Sequence, residues 1–330
     1  MKTKIVYTVA SDDSDIYLEQ TYVSICSLRK FHPDATVVLV VDDNTDKTIK
    51  GIREYILGVI THKIVVVPPH EYTKVERSRY LKTTLRNQIE GEYLFIDSDT
   101  LITADLSEVD NFEDEICAVI DYHVPLDKHV SFAFIKRQAS TINWIIEQSD
   151  FCYFNSGVMY VKDTDTTRKL YSRWNEEWTT FRKNTNFPVP SDQPTLGKVN
   201  KEMGYVIEEM DGEWNCQIAA NGLRFLDRAR IIHYFSSTIK KGDKEPVYAL
   251  MNNNVFLSLK EKGILDETLS QMIASPKTLF AERLVLISGE AMDIYYSHIV
   301  KRVISTYRYH RKTYEIINNL CKKWMQWSAK

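Results

Sequence analysis

Leu94-Phe95-Ile96-Asp97-Ser98-Asp99-Thr100-Leu101-Ile102 sets two carboxylates, one residue apart, between two apolar runs. A buried strand over 94–96 would deliver Asp97 and Asp99 to its C-terminal edge. In an open α/β sheet that edge is where ligands bind. Alternation along an extended chain points both carboxylates to one side, so they can share a hard cation. Magnesium and manganese take oxygen ligands and keep coordination sites for substrate phosphates. The stretch therefore predicts a metal-held nucleotide diphosphate. Asp-Ser-Asp is also a good turn sequence, and an isolated triplet is most often a solvated loop. The apolar strand before it and the motifs after it favour the site.

On the N-terminal side, strand and helix patterns alternate. Residues 4–10 read as a buried strand, followed by the polar turn 11–14. Residues 17–31 have helical spacing, with Tyr22, Ile25, Cys26 and Leu28 on one side. A second strand over 35–41 closes on Asp42-Asp43-Asn44, a helix starts at 45 and runs to 55 or beyond, and a third strand covers 63–67. A helix over 77–88 feeds the central strand. This alternation predicts a parallel sheet covered on both faces. On the C-terminal side, 116–120 is a strand ending in Asp121, 151–161 a strand containing Gly157, and 165–181 a helix carrying Trp174 and Trp178. Residues 188–196 read as a loop and 230–235 as a last short strand with His233 inside it. The expected architecture is α/β, a catalytic domain over 1–245 followed by a helical region over 246–330.

A chain of 330 residues with 44% hydrophobic content can bury a large core. A formal charge of -3 gives no argument for nucleic-acid binding. Five cysteines, odd in number and never in a CxxC pair, fit a reducing compartment without a disulfide framework or structural zinc. The first apolar run stops at Ala10, too short for a signal peptide, and no segment is long enough to cross a bilayer. The expectation is a soluble cytoplasmic protein.

Residues 301–330 carry eight basic residues against the single acid Glu315. Tyr314, Ile317, Cys321 and Trp324 share a helical stripe, with Trp327 close to it. Such a helix can lie in the interface at the inner face of an anionic membrane, or pack on protein.

Six separated pieces, in order, carry a resemblance to a family. They are Tyr7-Thr8-Val9-Ala10-Ser11-Asp12, Arg79-Tyr80-Leu81-Lys82, Phe95-Ile96-Asp97-Ser98-Asp99-Thr100-Leu101-Ile102, Phe154-Asn155-Ser156-Gly157-Val158-Met159, Ser191-Asp192-Gln193 and Ile231-Ile232-His233-Tyr234. Over about the first 240 residues the chain resembles the retaining sugar-nucleotide transferases of glycosyltransferase family eight. That family has the GT-A fold and includes bacterial lipopolysaccharide galactosyl- and glucosyltransferases.

The resemblance implies a role for each matched residue. Thr8, Val9, Ala10 and Asp12 would receive uracil and ribose, Asp12 being also a plain turn residue. Asp97, Asp99 and His233 would hold Mn²⁺ or Mg²⁺, the imidazole tilting the choice toward manganese. Arg79 matches the family's donor-contacting arginine, with Arg77 a rival one turn-step earlier. Ser98, between the two acids, and Gly157, beside Asn155, would face the donor. Asp121, Asn155, Asp192 and Gln193 would line the donor sugar, where amides and carboxylates tell epimers apart by satisfying or orphaning hydroxyl pairs. Gln193 would lie near the anomeric carbon. Lys240 or Lys241 could reach the diphosphate, although the family's Lys-Pro-Trp text is missing here. Ser156 stands where the family commonly has Ala, and Trp214-Asn215 resembles a Trp-Asn pair taken as structural.

The function implied is metal-dependent transfer of a hexose from UDP-glucose or UDP-galactose to a glycan or glycolipid hydroxyl, with retention. Two flanking carboxylates of the hydrolase type do not fit, because Asp97 and Asp99 are committed to metal. A nucleotidyltransferase would need a Gly-rich basic loop after the first strand, and Ser11-Asp12-Asp13-Ser14-Asp15 is acidic and glycine-free. A non-catalytic sugar-nucleotide-binding scaffold is the remaining alternative.

Overall fold

The structure, a computed structural model, describes residues 1–147, 149–185, 191–218, 220–234, 255–277 and 297–328. In chain order the first half runs β1 (Lys4–Val9), α1 (Tyr17–Phe31), β2 (Val37–Asp42), α2 (Asp43–Thr48), β3 (His62–Val66), α3 (Lys74–Thr83), β4 (Tyr93–Ile96), β5 (Thr100–Ile102) and β6 (Ile116–Ile120). Then follow α4 (Phe132–Thr141), β7 (Phe154–Val161), α5 (Asp165–Asn184), α6 (Gln193–Glu202), β8 (Glu208–Glu209), β9 (Cys216–Gln217) and β10 (Ile231–His233). The C-terminal helices are α7 (Leu257–Lys262), α8 (Glu267–Ala274), α9 (His298–Tyr309) and α10 (Arg311–Ser328).

The seven-stranded sheet has the order β3-β2-β1-β4-β7-β6-β8. β1, β2, β3 and β4 are parallel, as the alternation predicts. β7 departs from the parallel pattern, running antiparallel to both β4 and β6. The inner strands β1, β2, β4 and β6 are largely apolar because both faces are covered, whereas the edge strands β3 and β8 are mostly exposed. Ile5, Tyr7 and Val9 face α1 through Leu18, Ile25 and Leu28, while Val6, Val38 and Phe95 meet Leu81, Leu170 and Trp174 on the other side. The chain leaves β1 toward β2 and β3 but later places β4 on the opposite flank of β1. That reversal opens a crevice beyond the C-terminal ends of β1 and β4.

A second sheet, β5-β10-β9, starts where the first ends. Under it Leu101, Ile232 and Tyr234 pack with Phe256, Leu259, Leu269 and Met272. α7 and α8, although beyond residue 245, thus share the core of the small sheet.

Boundaries move for identifiable reasons. The helix expected to run from 45 to 55 or beyond stops at Thr48 and is replaced by a 3-10 turn over Gly51–Gly58, because Gly51 has φ of +58°. The helix expected at 77 starts at Lys74, where Thr73 and Glu76 form a reciprocal capping box. The expected loop 188–196 gives way at Gln193, which opens α6 with Pro194 in its first turn. The basic C-terminal helix is two helices broken at His310. Tyr309 and Lys301 tie α9 to the segment before α4, through Ser131 Oγ (3.1 Å) and the Asp127 carbonyl (3.3 Å). Among the described residues no helix is long and apolar enough to cross a membrane.

Candidate active site

Strand β4 ends at Ile96, and the Asp97 amide donates to the Gly157 carbonyl of β7 at 2.7 Å. The turn is then pinned by hydroxyls. Thr100 Oγ1 donates to the Asp97 carbonyl (2.9 Å) and meets Ser24 of α1 (2.8 Å), which meets Tyr7 of β1 (3.0 Å). Antiparallel pairing of β5 with β10 sets His233 opposite Thr100, and the Tyr234 amide donates to the Asp99 carbonyl at 2.9 Å. This register carries a histidine from far along the chain to the acid pair. His233 Nε2 lies 3.2 Å from Asp99 Oδ1. One ligand atom each from Asp97, Asp99 and His233 lie within 4.8 Å of one another.

Two carboxylates and an imidazole suit Mn²⁺ or Mg²⁺, oxygen-loving ions that leave coordination positions for phosphate. Gly157 supports this fit. A Cβ there would sit 2.4 Å from His233 Cε1 and 2.9 Å from Asp97 Oδ2, so the bare backbone makes room for the three donors.

Asp97, Ser98, Asp99 and His233 line a cleft of about 350 Å³ together with Asn155, Ser156, Gly157, Asp192 and Gln193. Burial and the adjacent Asp99 charge push the Asp97 carboxyl up, against the pull of Lys82. Lys82 Nζ lies 2.9 Å and 3.0 Å from the two Asp97 oxygens and is almost fully buried. Asp192 is buried too, yet Arg79 and Lys82 hold it below the usual carboxylate range despite that burial. Its Oδ1 forms an ion pair with Arg79, 3.1 Å from Nε, and its Oδ2 accepts from Ser156 Oγ at 3.0 Å. Its carbonyl receives the Trp174 indole at 2.9 Å, so the buried tryptophan of α5 fixes the loop that carries it.

Gln193 lines the cleft from the first turn of α6. Asp121 stands behind the cleft wall rather than in it, its carboxylate taken by Asn155 Nδ2 (2.8 Å) and His129 Nε2 (3.0 Å). Burial raises its pKa, but these partners more than reverse the effect.

Thr8, Val9 and Ala10 form the opposite wall with Tyr17, Lys74, Val75 and Ser78. Asp12 is outside that wall, with its carboxylate on Lys74 Nζ (2.9 Å) and the Ser14 amide (2.8 Å). Burial works against these contacts, but Ser14 and Lys74 together depress its pKa. Of the rival arginines, Arg79 lines the cleft, while Arg77 turns away to Asp42 and the Tyr72 carbonyl. Lys240 and Lys241 lie outside the described residues.

Lys82 is the residue the sequence reading missed. Its signal was present, a second cation three positions after Arg79 on α3 and so on the same helical face. The cleft thus sets cations Lys74, Arg79 and Lys82 near an acid pair, a distribution suited to an anionic ligand that brings a metal ion with it.

A family model described as "Glycosyl transferase family 8" matches residues 9–240. No curated protein matches the chain. Among solved structures the chain is similar to mouse xyloside xylosyltransferase 1, at 14% identity and TM-score 0.45, over 71% of this chain and 97% of that one. It is similar also to the glycosyltransferase GlyE of Streptococcus pneumoniae TIGR4, at 16% identity and TM-score 0.45, over 83% of this chain. The match spans 65% of GlyE, less than two thirds of its length.

Proposed function

Because the chain belongs to glycosyl transferase family 8 and is a glycosyltransferase, we propose that it moves a hexose from UDP-glucose or UDP-galactose to a hydroxyl of a glycan or glycolipid, with retention. The observation that carries this reading is the convergence of Asp97, Asp99 and His233 within 4.8 Å at the mouth of the sheet crevice. We assign the catalytic unit to residues 1–245, with α7 and α8 completing the core under its small sheet.

These three residues would hold Mn²⁺ or Mg²⁺. A divalent ion there would offset the phosphate charges and lower the cost of breaking the anomeric C–O bond. The chain's own groups divide the remaining work. Thr8, Val9 and Ala10 offer backbone groups to the base, with Asp12 at the rim toward the ribose. Arg79 and Lys82, held by Asp192 and Asp97, supply positive charge where the diphosphate would lie. Asn155, Asp192 and Gln193 would read the sugar hydroxyls, Ser98 and Gly157 would border it, and Asp121 would orient Asn155. The acceptor hydroxyl would enter from the face the diphosphate leaves, a leaving phosphate oxygen taking its proton. Lys240 would add charge at the diphosphate.

UDP release from a panel of UDP-sugars tests this reading. Release should require Mn²⁺ or Mg²⁺, stop with a chelator, and favour one hexose donor. Equal release with chelator present would overturn the metal role.

We further propose that α9 and α10 rest on the inner face of an anionic membrane. Ile299 is 77% exposed and Leu320 61%, beside the basic Lys301, Arg302, Lys322 and Lys323. Of the expected stripe, Tyr314, Ile317 and Cys321 are described, and the side chains of Trp324 and Trp327 are not. Apolar residues flanked by cations bind such interfaces. Full-length protein should sediment with anionic but not neutral vesicles, and reversing Lys312, Lys322 and Lys323 to Glu should release it. Equal recovery of both proteins in the supernatant would end the idea.

A further inference from the structure

A backbone amide dictates the tautomer of the candidate metal-binding histidine, two side chains away. The Gly157 N–H donates to Asn155 at 3.0 Å. A backbone N–H can only donate, so the atom it meets is the Asn155 oxygen. The Asn155 amide nitrogen must then point the other way, where it donates to Asp121 Oδ1 at 2.8 Å. The same Asn155 oxygen accepts a second bond, from Asn215 at 2.9 Å. Asn215 therefore spends its NH₂ there and turns its oxygen to His233 Nδ1 at 3.0 Å. An amide oxygen only accepts, so Nδ1 must carry the hydrogen. Nε2 is the ring atom left facing Asp99.

The far end of the chain obeys the same accounting. The Ser131 amide donates to His129 Nδ1 at 2.9 Å, so His129 Nε2 carries the hydrogen and gives it to Asp121 Oδ2 at 3.0 Å. Donation thus converges on the Asp121 carboxylate from both sides, through Asn155 on one and His129 on the other, and a backbone amide fixes each branch at Asn155 and at His129. Asn155 and Asn215 are buried, Asn215 completely. Solvent therefore does not substitute for a lost link, and an unpaired polar atom there is costly.

We propose that Asn215 is a positioning residue that holds His233 as the Nδ1–H tautomer, with Nε2 offered to a cation. The part of this concerning the cation rests on the metal reading above. Outer partners that orient a ligating histidine commonly alter metal affinity 10–100-fold.

The test uses the full-length protein in two measurements. In metal-free protein with ¹⁵N-labelled histidine, in alkaline solution where imidazole is neutral, His233 should show a protonated Nδ1. A protonated Nε2 with bare Nδ1 would overturn the proposal. Mn²⁺ affinity, read by electron paramagnetic resonance without nucleotide, should fall about 10–100-fold in Asn215→Leu. Asn215→Asp, which still accepts from Nδ1 but can no longer donate to Asn155, should keep the Nδ1–H tautomer while losing stability. Undiminished Mn²⁺ binding by the Leu variant would overturn the positioning role. Should the Leu variant fail to fold, the wild-type spectrum and the Asp variant decide, and a loss of the Nδ1–H signal in Asp would count against the proposal. Absence of Mn²⁺ binding by the wild type would contradict the metal reading alone, because the spectrum tests the tautomer without any ion.

Discussion

Asp97→Asn is expected to lower sugar transfer by about 10²–10³-fold or more, the scale of losing one preorganised electrostatic group, without lowering the melting temperature of the metal-free protein. The two halves of this result have one cause. Asp97 is an unfavourably placed charge in the absence of an ion, since burial and Asp99 both push its carboxyl toward the neutral form. Removing the charge relieves that cost. The amide oxygen of the replacement still accepts from Lys82, so the buried ammonium keeps a partner. Asp97→Ala should be equally inactive but less stable, because it strands Lys82. Thermal unfolding in chelator, measured beside initial rates of UDP release, separates the cases. A structural carboxylate would show the reverse, with stability falling and the surviving folded protein still active.

Gly157→Ala should have the second-largest effect. Its methyl group would lie 2.4 Å from His233 Cε1 and 2.8 Å from Asn155 Oδ1, distances that real Cβ atoms do not show. Neither neighbour is a flexible tip. Both are buried, and His233 and Asn155 are each bonded to Asn215. The histidine must therefore swing away from Asp99 or β7 must shift, at a cost of about 1–3 kcal/mol, typical of overpacking. Transfer and Mn²⁺ affinity should fall together, and calorimetry should show the stability loss. Unchanged Mn²⁺ binding in a folded Gly157→Ala protein would mean that the glycine does not make room for the ion.

Strand-forming runs that are apolar throughout, such as 94–96 and 116–120, could be read from the sequence because burial on both faces leaves only one residue class available. The parallel half of the sheet followed from their alternation with helices. The reversed direction of β7 did not, since strand polarity is decided by which neighbour it pairs with, and its buried sequence is the same either way. The capping box at Thr73 and Glu76 was legible from the text alone and would have corrected the start of α3. At the site, the acids and His233 belonged to recognisable motifs. Lys82 and Asn215 sat in motifs too, but their roles at the site were not legible, because these depend on partners 15 and 18 positions away. A buried lysine and an asparagine look like ordinary surface residues until strand register brings those partners in. Asp121 shows the opposite case. The family resemblance implied that it lines the donor sugar, and its carboxylate accepts from Asn155 and His129 behind the cleft wall.

Diffraction from crystals grown with MnCl₂ and UDP, collected at the manganese absorption edge, tests the central claim most directly. The account predicts one anomalous peak bounded by the carboxylates of Asp97 and Asp99 and by Nε2 of His233, with both phosphates of UDP on its open side. Bound UDP with no peak between those three residues, or with the ion held elsewhere, would contradict it.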